Sequence, residues 1–554
     1  MSDQIVRTEQ REAKFVFADQ SVSDAIFSLL SSGRSIGDFV LTPKRQEVTE
    51  DMYWDTAAHT LQRTRASLRL RQRKGMTSVL QFKKPVGDVS VDMGYLTLSW
   101  DCQEPSVGSH LPLADEAMTA VLLQAGSADV TPIGTVRTER TVVTVARGDR
   151  QVGEIMLDEF GVSRTQAPEY LTGREIEIKG HDPRELLYLG QCLCNWFGLI
   201  RVTSSKIERH IPLQSPATRL LLDMDPGVDD ALALLYVFAH ANRPKVDAIT
   251  TVGGNVSVRQ CAVNAFRLCR WAQSNGLIDR IPEIGTGVDV PGVRSNAANV
   301  HGADGLGDID WGSIDKEAEG YHYIDAIELQ RDVLLKNPGE VTIVATGPCS
   351  NLGQLILRHP EALAAAREVI IMGGSFFDCG NRGPQSEFNI HSDSGAARMV
   401  LDYCRRLIPN GSRSFRERVP LSFVGLDVTH RAILERSAIR GVDGPATNLA
   451  ASVSSKYMDF YRMVLGVDGC PLHDPLAVGL ALRPEYFVRE PYHMEVISTS
   501  DVSETDGITI ADYRPCAVFK DKFKEVTQVC VSINAQAYVA DFLNTLETAG
   551  EASK

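Results

Sequence analysis

The chain has 554 residues, 43% hydrophobic and 23% charged, a globular composition too long for one ordinary core. Its formal net charge of −14 leaves no basic footprint and argues against a nucleic-acid partner. The 11 cysteines are odd in number and scattered without a CxxC pair, which reads as reduced thiols and a cytoplasmic setting. "MSDQIVRTEQREAKF" is no signal peptide, and no apolar run reaches the length of a membrane span.

In chain order, the first segments alternate with period two. "QREAKF" puts Gln10, Glu12 and Lys14 on one strand face. "RTRASLRLRQRKG" puts Arg69 and Arg71 on one face and Leu68 and Leu70 on the other. "VLQFKKP" sets Gln81 and Lys83 opposite Leu80 and Phe82. "GEIMLDEF" places Glu154 and Asp158 together, and "REIEIKG" does so for Glu175, Glu177 and Lys179, with Ile176 and Ile178 opposite. One charged strand face is ordinary solvated surface. Several, carrying both signs of charge, predict a closed antiparallel β tunnel with a polar lumen.

"QREAKF", "YWDT", "LRLRQR", "LQFKKP", "TERTVV", "LDEFG", "EIEIK" and "SKIER" together resemble the CYTH domains, the triphosphate tunnel fold that includes thiamine triphosphatase and inorganic tripolyphosphatases. The resemblance implies that Lys14, Arg69, Arg71, Lys83, Arg140, Lys206 and Arg209 grip a triphosphate. It implies a divalent metal, Mg2+ or Mn2+, on Glu12, Glu154, Asp158, Glu175 and Glu177. Two positions depart from the family pattern. Gln10 stands in the place of its first glutamate, and Lys179 where a further acid is often found. Both departures weaken the metal-binding half and spare the anion-binding half, so hydrolysis and plain binding of a triphosphate both stay open.

Around "RHIPLQSPATRLLLD" the character of the chain changes, and Pro212 and Pro216 flank a short polar link. This predicts an N-terminal domain over residues 1–213 and a C-terminal domain over 217–550. The second domain alternates short apolar runs, Gly-rich turns and helical stretches, the pattern of an α/β, open, mostly parallel, Rossmann-like sheet flanked by helices.

It opens with "LLLDMDPGVDDALALLYVF", a buried strand, a turn and a helix. Asp223, Asp225, Asp229 and Asp230 crowd within it. Asp229 and Asp230 fall in the first helical turn, where the helix dipole favours negative charge. Asp225 ends the strand, at the edge where open parallel sheets place ligands. Carboxylates crowded there are best neutralised by a hard cation such as Ca2+. Later strand ends are polar too: "VGGN" with Asn255, "ATGPCSNL" with Thr346, and "IMGGSFF" with Met372. "LHDPLAV" holds His473 and Asp474.

The set "DMDPGVDDALAL", "VGGN", "HGADGLG", "ATGPCSNL", "IMGGSF…GN…EFN" and "LHDPLAV" resembles the inosine–uridine-preferring nucleoside hydrolases. That resemblance implies calcium-dependent hydrolysis of the N-glycosidic bond of ribonucleosides. Asp225, Asp230, Thr346 through its carbonyl, and Asp474 match the calcium ligands, and Asp225 also matches the base that activates water. Asp229, Asn255, Met372, Asn381, Glu387 and Asn389 match residues around the ribose. His473 matches a candidate acid for the leaving base, and His301 a second histidine near it. A homo-oligomer is implied as well. Base preference lies with loops near residues 285–300 and with the helix carrying Tyr457 and Tyr461, whose rings could stack on a base. Two other readings are a triphosphatase with an auxiliary hydrolase-like domain and a nucleotide-sensing module that regulates the glycosidase.

Overall fold

The structure, a computed structural model, describes residues 6–56, 59–63, 66–73, 76–86, 94–102, 124, 130–164, 167–211, 216–290, 298–405, 419–499, 504–512 and 527–549. It divides into two compact units, with the change of unit at Pro216. Among the described residues, no helix is long and apolar enough to cross a membrane.

In the N-terminal unit, strand Val6–Phe17 pairs antiparallel with Gly94–Cys102 and also with Ala167–Gly180. Between those two neighbours run Ser78–Val86, Ser67–Arg73, Phe39–Asp55, Thr131–Arg147 and Arg150–Arg164, each antiparallel to the next. The double pairing of the first strand closes the sheet on itself. Closure sorts side chains by parity, as the alternation predicts. Phe15, Phe17, Ile176 and Ile178 lie in an apolar core with Ile26, Phe27 and Leu30 of helix Ser23–Ser31 and Leu186, Leu189 and Leu193 of helix Pro183–Phe197. Each fully buried leucine there is worth about 1.5–3 kcal/mol over an exposed one. Asp182 starts the second helix by accepting the Arg184 N–H at 2.9 Å, and Gly198, at φ 61°, ends it in the left-handed region.

The C-terminal unit holds a mixed ten-stranded sheet. From one edge, Ile324–Asp325, Glu283–Thr286, Lys245–Thr251, Arg219–Met224, Thr342–Ala345, Glu368–Met372, Leu421–Val424 and Thr527–Ile533 are parallel to one another. Phe487–Val496 and Thr509–Asp512 are antiparallel. From Arg219–Met224 the chain first builds the sheet in one direction, then returns to its other side at Thr342–Ala345. The topological switch point therefore opens between these two strands, where a crevice forms at their carboxyl ends. Helix Val228–Ala239, buried along nearly its whole length, anchors one wall of that crevice.

Candidate functional site

The crevice collects its side chains from five element ends. Asp225 follows strand Arg219–Met224, Asn255 follows Lys245–Thr251, and Thr346 follows Thr342–Ala345. Asp229 and Asp230 occupy the first turn of helix Val228–Ala239, and His473 and Asp474 that of His473–Leu482. All four of these aspartates are buried, Asp230 completely. Carboxylate oxygens of Asp229, Asp230 and Asp474 lie within 4.8 Å of one another. This tight triplet includes Asp229, which sequence reading assigned to the ribose, and leaves Asp225 to one side.

Asn255 ties Asp225 in. Its N–H donates to Asp225 Oδ2 at 2.8 Å, and its amide donates to the Asp225 carbonyl at 3.1 Å and reaches Asp230 Oδ2 at 3.5 Å. A Cβ on Gly254 would collide with the Asp225 carboxylate, so only glycine fits beside it. Asp230 also accepts from the Gly227 N–H at 2.8 Å and the Thr346 hydroxyl at 2.7 Å. The Thr346 carbonyl accepts from the Asn389 amide at 2.7 Å, which leaves it a second lone pair.

The electrostatics of this crowd favour a cation. Burial, then the charge of Asp230, pushes the Asp225 carboxyl well above its ordinary range. Burial, then Asp229, pushes Asp230 up to about 8 and raises Asp474 strongly. One buried oxygen, Asp229 Oδ1, has no hydrogen-bond partner among the described residues. Acceptor-only oxygens, mutual repulsion and an unsatisfied buried acceptor fit a hard cation of high coordination number.

Asn389, Glu387 and His301 connect to this centre through hydrogen bonds. Asn389 donates to the Met372 carbonyl at 3.3 Å, and the carboxylate of Glu387 accepts the N–H groups of Gly374, Asn389 and Ile390. Burial pushes Glu387 up to about 6. Asn381 accepts from the Phe388 N–H at 2.9 Å and so braces its own loop. His301 Nδ1 accepts from the Val228 N–H at 3.1 Å, so the neutral ring carries its proton on Nε2. Of the predicted base-selecting loop, residues 291–297 lie outside the described residues.

His473 is buried, which drives its pKa well below the usual histidine value, with His430 adding to the effect. Its Nδ1 meets the Thr429 hydroxyl at 2.8 Å and its Nε2 the Tyr461 hydroxyl at 2.9 Å. Tyr457 donates to Asp229 Oδ2 at 3.2 Å. The tyrosines, expected at most to stack on a base, thus reach the polar centre through their hydroxyls. Their spacing of one helical turn was the available signal. Thr429, remote in sequence from His473, carried none.

In the N-terminal unit a cavity of about 410 Å³ runs inside the closed sheet. Lys14, Arg69, Arg71 and Lys83 line it, as the alternation places them, together with Arg140 and Lys206, which the family resemblance named. Arg209 does not. It sits on helix Lys206–His210 with its guanidinium buried against Glu175 and the Ser204 carbonyl. Asp51, which sequence reading missed, lies on the same inward parity as Thr49 and Tyr53, and Arg69 and Arg71 hold it at 3.2 and 2.6 Å. Asp158, Glu175 and Glu177 bring carboxylate oxygens within 4.8 Å of one another. Each is already engaged: Asp158 by Arg140 and Lys206 at 2.6 and 2.7 Å, Glu175 by Lys206 and Arg209, Glu177 by Arg140 at 2.8 Å. Glu154, more exposed, pairs with Lys44 at 2.6 Å.

Comparison with known proteins agrees with this division. Residues 220–540 match the inosine-uridine preferring nucleoside hydrolase family, and residues 27–211 match the CYTH domain. A pyrimidine-specific ribonucleoside hydrolase, RihA, of Klebsiella pneumoniae is 34% identical over 305 residues, 54% of this chain and 89% of that protein. A non-specific ribonucleoside hydrolase, RihC, of Shigella boydii is 34% identical over 302 residues, again 54% and 89%. Among solved structures, a plant nucleoside hydrolase superposes with a TM-score of 0.50 at 24% identity, over 60% of this chain and 99% of that one. At that identity the likeness speaks for the fold alone.

Proposed function

The chain belongs to the inosine-uridine preferring nucleoside hydrolase family, and from that premise we propose that its C-terminal unit hydrolyses the N-glycosidic bond of ribonucleosides with calcium, giving ribose and free base. The observation that carries this is the buried aspartate cluster at the switch point, with Asn255, Thr346 and Asn389 tied to it.

Asp225, Asp230, Asp474 and the Thr346 carbonyl would hold the calcium, and the proximity of Asp229 to Asp230 and Asp474 adds a further oxygen. When bound, calcium supplies a hard Lewis acid for oxygen ligands. Asp225, its carboxyl poised by burial to accept a proton, takes one from the attacking water. Asp229, Asn255, Asn381, Glu387 and Asn389 hold the ribose hydroxyls, with Met372 against the ring, and so fix the anomeric carbon as oxocarbenium character develops. His301, protonated on Nε2, faces the base. His473, once protonated, is made a stronger acid by its burial and hands that proton to the departing base, directly or through the Tyr461 hydroxyl at 2.9 Å. The test is a panel of inosine, uridine, cytidine, adenosine and guanosine in saturating calcium, scored for free base and ribose. Failure with all of them would sink the proposal.

For the N-terminal unit we propose binding of a triphosphate compound in the tunnel. Support comes from the cationic side chains along the lumen, which also pair with Glu12, Asp51, Asp158, Glu175 and Glu177.

A further inference from the structure

Two acids expected to hold a divalent metal in the tunnel, Glu12 and Glu177, are diagonal neighbours on the paired strands Val6–Phe17 and Ala167–Gly180, whose register sets Glu12 opposite Lys179 and Lys14 opposite Glu177. Lys179 stands two residues beyond Glu177 on the same strand and therefore on the same face. Its ammonium lies 3.2 Å from Glu177 Oε1 and 3.7 Å from Glu12 Oε2. The other oxygen of each acid is also engaged, Glu12 Oε1 by Lys83 and by Lys14 at 3.5 Å, Glu177 Oε2 by Arg140 at 2.8 Å. Glu12 Oε2 is buried and accepts no hydrogen bond among the described residues, so it is the oxygen still open to a cation, and Lys179 is the cation that faces it.

We propose that the tunnel binds a linear polyphosphate chain without a divalent metal, because the ammonium of Lys179 stands between Glu12 and Glu177, two of the acids that would have to hold one. The inference rests on the reading of the tunnel as an anion site and changes what that site needs. A dication entering here would meet a fixed positive charge and acids already neutralised by lysine and arginine. The residues thus do not fit the metal that the fold family implies. They do fit an anion. Cationic side chains outnumber carboxylates along the lining, and ammonium and guanidinium groups are the strong partners of phosphate oxygens. A phosphate chain entering the lumen can take the N–H donors that Lys14, Lys83, Arg140 and Lys206 do not spend on their acids, three to an ammonium and five to a guanidinium, with no metal needed to bridge it to the protein.

The test is calorimetric titration of the full chain with inorganic tripolyphosphate, once in EDTA and once in excess magnesium. The expected result is binding in EDTA that magnesium leaves unchanged or weakens by complexing free ligand. Lys179→Glu should lose binding in EDTA by about tenfold or more, and magnesium should restore it. Lys179→Gln, which removes the ammonium without adding a charge, should shift in the same direction by less. ATP as a second probe separates the sources: binding of tripolyphosphate alone points to free polyphosphate, binding of both to a nucleotide's phosphate chain, and either in EDTA supports the proposal. Wild-type binding that strengthens tenfold or more with magnesium would overturn the metal-free inference and leave the anion site standing. No binding in either buffer would overturn both.

Discussion

Asp223→Asn isolates one buried charge. Asp223 lies wholly inside strand Arg219–Met224, and its Oδ1 accepts from the Thr250 hydroxyl at 2.7 Å, the Gln330 amide at 3.1 Å and the Asn351 amide at 2.7 Å. Its Oδ2 has no hydrogen-bond partner among the described residues. Burial raises its pKa to about 6, against the pull of those three neutral donors. A folded value above the unfolded one, near 3.9, means that the fold binds this proton more tightly. The associated stability is fully present below about pH 3.9 and is lost as pH rises through about 6. Asparagine keeps the Oδ1 acceptor and removes the titration. Between pH 5 and pH 7 the wild type should therefore lose about 1.3 kcal/mol relative to the variant, from roughly one proton integrated over that window. The constant cost of placing an amide NH2 where Oδ2 finds no partner cancels from this difference. Urea unfolding followed by helical ellipticity, in EDTA at pH 5, 6 and 7, measures it. A pH-independent difference, or one of opposite sign, refutes the reasoning.

Asp230→Ala should abolish calcium binding and nucleoside hydrolysis together, checked by calorimetry and base release; full calcium affinity in the variant would remove Asp230 from the ligand set. Calcium affinity of the wild type should fall as pH drops below about 8, because burial and Asp229 make Asp230 hold a proton that the cation must displace; titrations across pH read this directly, and a flat profile contradicts it. His473→Ala should slow inosine-type substrates by ~10²–10⁴ and spare p-nitrophenyl riboside, whose phenolate leaves unaided, with calcium affinity kept. Tyr461→Phe should reproduce a large part of that selective loss if the proton travels through its hydroxyl; equal losses on both substrates would assign His473 to loop structure instead.

Much of this arrangement is legible in the sequence. Alternation on "LRLRQR" and "EIEIK" told which side chains face the lumen, because a pleated strand offers only two sides. The strand-turn-helix reading of "LLLDMDPGVDDALAL" put Asp225 at a strand end and Asp230 in a first helical turn. What stayed hidden depends on contacts between remote segments. Gln330 reaches Asp223 from helix Ala326–Lys336, and Thr429 reaches His473 from the short helix Leu426–Thr429 that follows strand Leu421–Val424. Periodicity is a local signal and cannot report either. Arg209 fits the family spacing, yet its helix turns it into the protein interior, where it serves Glu175. The value of Lys179 likewise emerges only when the pairing of two strands places it opposite Glu12.

The closed N-terminal sheet also sets an order of events during synthesis. Its first strand, Val6–Phe17, finds its partners in Gly94–Cys102, Ala167–Gly180 and Leu199–Val202. A chain emerging from the ribosome holds that first strand unpaired on one edge until nearly the whole unit has left the exit tunnel. Such late, long-range closure is slow, since the entropy of a large loop must be overcome before its contacts form. The nascent strand mixes charge with its apolar residues, and that charge keeps an exposed edge from recruiting a neighbouring chain while it waits. Glu12 and Lys14, read above as part of a ligand site, thus also protect the protein before it has a lumen.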